Sequence, residues 1–348
     1  MTAAATRRTP LLDTIETQRF GCELAGSPLY AQALLVVADD VAAEGPCARL
    51  LDLYADASLG DAVLLRFLGA LHLAVLSGRA PELAVHYPSA GGTPHDGLAG
   101  ALVDAVEANG DLIAAGLEQC VQTNEVGRSA ALIGGYLTLA ADGLPLRLRE
   151  VGTSAGLNLL ADQYRYEAGG SAFGPVDSPL VFREPWIPRT PDLSAPLDIA
   201  DRRGCDLAPI DVTLEPDRLR LRSFVWPDQL ERLTRLDAAI AVARRFPPVI
   251  DTADAVTWLQ WELADRCPDV TTVVAHSITL QYLSPAERTA MVAVITEAGQ
   301  RASDAAPVAW LRLEPGGDQA DLYLTRWPGG ETRLLATSAY HGPPVVWR

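Results

Sequence analysis

From Gly143-Leu144-Pro145 onward, short β-type runs alternate with helical ones, and this alternation most restricts what the chain can fold into. Strands separated by helix-length segments pair in parallel, with the helices as crossovers. LRLREV reads as a strand ending at Val151, followed by a glycine turn and a helix from about Gly156 to Gln163. Leu197 to about Arg203 reads as a second strand, Val249-Ile250 as a short one, and TTVVAHS and PVAWLRLE as buried ones. Helical periodicity covers Asp228–Arg245, stopped by Pro247-Pro248, then Val256–Arg266 and Pro285–Gly299. Residues 164–196 are rich in Pro, Gly and Ser and read as a loop insertion, with a hairpin as an option within it. DLYLTRW, the turn Pro328-Gly329-Gly330 and ETRLLATS close the chain as a hairpin. The expected class is α/β, a mostly parallel sheet with an antiparallel C-terminal hairpin.

Residues 1–142 read differently, as a helical N-terminal domain ahead of a catalytic domain at 143–348. Ser27-Pro28 starts one helix. Val63, Leu64, Phe67, Leu68, Leu71 and Val75 lie on one face of another. His86–Gly97 is a loop, and further helices run near Leu98–Ala108, Asp111–Cys120 and Arg128–Ala140. MTAAATRRTP has no apolar stretch behind its arginines, so it reads as a frayed start and not as a signal peptide. No apolar run is expected to span a bilayer. Net charge is −16, which disfavours nucleic acid and anionic membranes as partners. The five cysteines are widely spaced with no C-x-x-C pair, which points to a reducing cytoplasm, and no histidine spacing signals a metal.

The sharpest local signal is LREVGTSAGLNLL, where a strand hands over to a helix. Glycine lets backbone approach a ligand closely, and a helix N-terminus offers unpaired N–H groups. Asp206, in RGCDLAP, ends the second strand, where an acid can hold ribose hydroxyls; Asp201 is the alternative. Asp254, in DTADA, follows the next short strand.

These residues resemble the class I S-adenosylmethionine-dependent methyltransferases, a Rossmann-type fold, over residues 146–348. The resemblance implies that Glu150, Gly152, Ser154, Gly156 and Asn158 surround the methionine part of the cofactor. It also implies that Asp206 holds the ribose, and that Asp254 and Ala255 meet adenine. QTNEVGRSAAL, EVGTSAGLNLL, SFVWPDQLERL, VVAHSITLQYL and WLRLEP together resemble a bacterial family known only as a domain of unknown function.

Two other readings stay open. Gly152-Thr153-Ser154-Ala155-Gly156 also fits G-x-S-x-G, the nucleophile elbow of α/β-hydrolases, with His276 or His341 downstream. Helical residues ahead of the strand and the lack of an H-G-G-G segment argue against it. A Rossmann shell without activity is the third reading. In the methyltransferase reading, Arg128 pairs with the cofactor carboxylate. Glu125 and Asn124 face the substrate there, or alternatively are only helix-cap chemistry, with Asn124 as the cap. His276, ending its strand, is a candidate base. Glu314 holds the same position on the next strand, and Ser277, Gln281 and Tyr282 are candidate substrate contacts. An acidic pocket of Glu125 and Glu314 would suit an amine or guanidinium such as free arginine. The expected partner is a small-molecule acceptor, with homodimerisation left open.

Overall fold

The computed structural model describes residues 3–57 and 59–348. In chain order its helices are α1 (Ala3–Leu24), α2 (Pro28–Ala42), α3 (Pro46–Leu51), α4 (Val63–Leu76), α5 (Pro81–Ala84), α6 (Leu98–Ala108), α7 (Gly110–Leu117), α8 (Ser129–Ala140), α9 (Glu215–Ser223), α10 (Leu230–Arg245), α11 (Ala255–Glu262) and α12 (Pro285–Gln300). The strands are β1 (Leu146–Val151), β2 (Arg165–Ala168), β3 (Ser171–Phe173), β4 (Val181–Arg183), β5 (Trp186–Ile187), β6 (Ile199–Asp206), β7 (Ile250–Thr252), β8 (Thr271–Ser277), β9 (Val308–Pro315), β10 (Ala320–Trp327), β11 (Glu331–Ala339) and β12 (Gly342–Trp347).

Two compact units divide the chain: 1–123 with 214–234, and 124–213 with 235–348. The boundary falls before α8, not at 142, and α9 returns to the helical unit. The reason lies in α8, which is apolar on all sides and buried at every position from Ser129 to Leu137. Such a helix needs cover on every face. Gly134 meets Trp347 and Gly135 meets Leu311, so sheet residues press directly on its backbone.

In the helical unit, α1 starts at Ala3, where a frayed start was expected. Ser27 caps α2 by accepting Tyr30 N–H, and its hydroxyl donates to Asp228 at 2.6 Å. The stretch Leu59–Leu76 is, by length and hydropathy, apolar enough to cross a membrane, contrary to the expectation above. It contains α4, whose Phe67, Leu68, Leu71 and Ala74 are buried in the core of this unit.

The other unit is built on a nine-stranded sheet of order β5-β12-β11-β10-β9-β8-β1-β6-β7. β1 pairs in parallel with β6 and β8, β6 with β7, and β8 with β9. The chain therefore runs outward from β1 to β7, then returns to the other side of β1 for β8 and β9. Strand order reverses between β1 and β8, and in open α/β sheets ligands collect at the carboxyl ends of strands at such a point. The expected terminal hairpin is a longer antiparallel meander, β9 to β12, with β5 added in parallel to β12. Residues 164–196 hold a hairpin, β2–β3, extended by β4 into a small sheet, β3-β2-β4, on which Tyr166 stacks against Phe182, and they also supply β5.

The helix expected at Gly156–Gln163 is only a 3-10 turn, Asn158–Gln163. Side chains claim its start: Asn124 accepts Leu157 N–H at 2.9 Å and Ser129 donates to Asn158 at 2.7 Å. Such bonds compete with the helical ladder.

Alternation along β1 sets two faces. Glu150 lies in register with Ala275 and Leu311, on the α8 face, where Leu311 meets Gly135. Val151, Val274 and Trp310 lie on the other, packed with Trp258, Met291 and Ile295 of α11 and α12.

Candidate functional site

The turn after β1 carries three residues of positive φ: Gly152 at 68°, Ser154 at 53° and Gly156 at 70°. Gly152 and Thr153 N–H both donate to the Cys205 carbonyl, at 2.9 and 3.1 Å. Ser154 N–H donates to one Asp206 carboxylate oxygen at 2.9 Å, and Ala208 N–H to the other at 2.9 Å. Asp206 thus ties the end of β6 to the turn. Its rival Asp201 sits toward the start of β6 in register with Arg147 and bonds Arg149, at the far end of the sheet from the turn. The turn glycines do not line an open cradle. A Cβ on Gly152 would lie 2.6 Å from the Thr279 side chain, and one on Gly156 2.6 Å from Pro248. Beyond β7, Asp254 is exposed and caps α11 by accepting Thr257 N–H at 2.9 Å, with Ala255 as the first helical residue. Ala253 N–H donates to the Asp206 carbonyl, so Asp206 also positions this segment.

Glu150 is buried, and Thr153 donates its hydroxyl to it at 2.6 Å. Burial pushes its carboxyl up to about 8, against the opposing pull of the Thr153 bond and, more weakly, of Arg128; nearby Asp206 adds to the rise. The side chain is mainly protonated at neutral pH. Thr153 was not anticipated as a site residue, although a hydroxyl three positions after a strand-end acid is a readable signal.

The segment before α8 serves the fold more than a ligand. Glu125, not Asn124, is the cap, accepting Gly127 N–H at 3.0 Å, and it lies 3.7 Å from Arg235. Asn124 instead holds Leu157. Arg128, expected on a cofactor carboxylate, donates to the Tyr340 and Ser277 carbonyls at 3.0 and 3.2 Å. Asn158 has its amide on the Glu125 carbonyl and its oxygen on Ser129.

His276 does not stand ready as a base. It is fully buried, and Trp310 Nε1–H donates to its Nε2 at 2.9 Å. Nε2 therefore bears no proton, and Nδ1–H donates to Glu314 Oε1 at 2.6 Å. Glu314 Oε1 also takes Thr279 N–H at 2.9 Å, while its Oε2 is buried with no partner among the described residues. Alternation places His276, two residues from Val274, on the α11–α12 face, opposite Glu150. Of the expected trio His276, Glu125 and Glu314, the first and last meet at 2.6 Å, while Glu125 is engaged by Gly127 N–H and faces Arg235. Because both His276 nitrogens are engaged, it cannot activate Ser154. Gln281 and Tyr282 are exposed on the 3-10 turn Leu280–Tyr282 beyond Thr279. Among the described residues no group of three or more His, Cys, Asp or Glu could hold a metal.

One family model, described as an uncharacterized protein conserved in bacteria (DUF2332), matches residues 13–347. The chain belongs to this family. No curated protein and no solved structure matches the chain. The DUF2332 match spans both units, so the helical unit is as much a part of the family as the sheet.

Proposed function

We propose that this DUF2332 chain binds S-adenosylmethionine at the carboxyl edge of its parallel strands and transfers the methyl group to a small acceptor. The observation that carries this reading is Asp206, at the end of the strand beside β1, bonded to the turn that follows β1. The order β9-β8-β1-β6-β7, with its reversal at β1–β8, supports a Rossmann-type ligand edge. The donor set fits the adenosyl end. Asp206 lies at the end of β6 with its carboxylate on the Ser154 and Ala208 amides, where a ribose would meet an acid, and exposed Asp254 can accept from an amino group. It does not fit the methionine end as the family resemblance implies. Gly152 and Gly156 face protein atoms, and Arg128 is bonded to carbonyls.

When bound, the cofactor supplies a methyl group activated on a sulfonium. The chain's part is to orient the adenosyl group through Asp206 and Asp254 and to align the acceptor. The acceptor is proposed only as a small molecule, since Glu125 and Glu314, the acids that would favour an amine or guanidinium, are each held by protein partners. Calorimetry with S-adenosylhomocysteine tests the reading. Wild type should bind, and Asp206→Asn should bind at least tenfold more weakly while remaining folded. No binding by folded wild type overturns the proposal.

A further inference from the structure

The serine–histidine geometry of this chain lies in the helical unit, not at Ser154. Ser89 Oγ is 2.7 Å from His72 Nε2, and His72 Nδ1 is 3.1 Å from the Ser223 carbonyl. A carbonyl only accepts, so Nδ1 carries the ring proton and Nε2 receives the Ser89 hydroxyl. Burial pulls the imidazole down to about 4, so at neutral pH it is uncharged and its Nε2 lone pair accepts the Ser89 hydroxyl, while as a proton acceptor it is weaker than free imidazole. His72 is fully buried on α4 with Tyr87 against its ring, centroids 5.5 Å apart. Ser89 is only half-buried, on the 3-10 turn Pro88–Ala90. The amides of Ala90, Gly91 and Gly92 are spent on Tyr87 and Pro88 carbonyls, whereas Ser89 N–H meets no acceptor among the described residues. The turn thus combines a reachable hydroxyl, a base bonded to it, an acceptor that fixes the base's tautomer, and one amide beside the nucleophile.

We propose that Ser89 and His72 form a nucleophilic dyad that accepts an acyl group from small activated esters. Ser89 Oγ bonds to the carbonyl carbon as its proton passes to His72 Nε2. The C–O bond to the leaving group then breaks, and that oxygen takes the proton from His72. Water removes the acyl group by the same route, regenerating Ser89. Ser89 N–H donates to the carbonyl oxygen as charge develops on it. This activity is independent of the methyl-transfer reading.

The test uses the full chain, a fluorophosphonate probe and p-nitrophenyl acetate. A single adduct mapping to Ser89 is expected, with a stoichiometric burst of nitrophenolate. Both should vanish in Ser89→Ala, which removes only the hydroxyl oxygen, and persist in Ser154→Ala. His72→Gln should slow labelling at least tenfold, with melting temperatures of all variants read alongside. No adduct on folded wild type, an adduct that survives Ser89→Ala, or one that maps to Ser154 overturns the proposal.

Discussion

Asp206 accepts the Ser154 amide at 2.9 Å, fixing a residue of positive φ at the mouth of the parallel sheet. Its other oxygen holds Ala208, so one half-buried carboxylate anchors two loops. Hydrogen bonds to charged groups contribute about 1.5–3 kcal/mol each. Because the carboxylate is only half-buried and solvent screens part of that gain, Asp206→Ala should lower unfolding stability by about 2–4 kcal/mol in urea titrations, and Asp206→Asn by less, because it keeps one acceptor oxygen. A stability equal to wild type in Asp206→Ala would show that the clamp contributes nothing.

Gly152 is required by its backbone and by Thr279. Holding a non-glycine residue at positive φ costs about 1–3 kcal/mol, and an added Cβ would also press on the Thr279 side chain. Gly152→Ala should be destabilised by more than the backbone term alone. Adding Thr279→Ala should recover part of the loss, giving a favourable coupling in a double-mutant cycle. Strict additivity would mean that the contact is relieved elsewhere.

Glu150 makes stability depend on pH with a defined sign. Its carboxyl is near 4.5 when unfolded and is raised to about 8 in the fold. Between those values the folded state holds the extra proton, so this group's contribution is greatest below about pH 4.5. It is lost as pH rises toward 8. Glu150→Gln, which mimics the protonated form, should flatten the urea stability profile between pH 5 and 8. Relative to wild type, the variant should gain on the order of a few kcal/mol at pH 8. An unchanged slope would mean that the carboxyl titrates normally.

The relay Trp310–His276–Glu314 is a structural network. His276→Ala would leave the Trp310 indole N–H without its acceptor and remove one of the donors to Glu314, each loss costing about 1–3 kcal/mol. Melting should fall by several degrees. Crossing it with Trp310→Phe should give a coupling of about 0.5–3 kcal/mol, while S-adenosylhomocysteine affinity in the folded variants stays within about threefold of wild type. A variant of native stability that loses only ligand binding would restore His276 as a site residue.

Much of the parallel core was legible. TTVVAHS is β8 residue for residue, and Leu98–Ala108 is α6, because continuous apolar runs and 3.6-residue periodicity report burial directly. β12 was not read, since GPPVVW carries two prolines that argue against a strand, and at two residues β5 is too short to leave a pattern. α9 has too few apolar positions to show an amphipathic stripe. Ser89 and His72 gave no joint signal, because their pairing joins a loop to a helix.

The sequence by itself determined the positions of β1, β8 and the β9–β11 run, that the turn after β1 needs glycine, and that Asp206 ends one strand and Asp254 follows the next. These are local properties of backbone sterics and hydrophobic period. Only the tertiary structure decided which polar groups remain available. Arg128 finds carbonyls, Glu125 finds Gly127, and His276 is sealed between Trp310 and Glu314. Those partners are brought in by strand order and by the face on which each side chain falls. Hydrogen-bond satisfaction in a buried edge is a property of the assembled sheet and is not carried by any one segment.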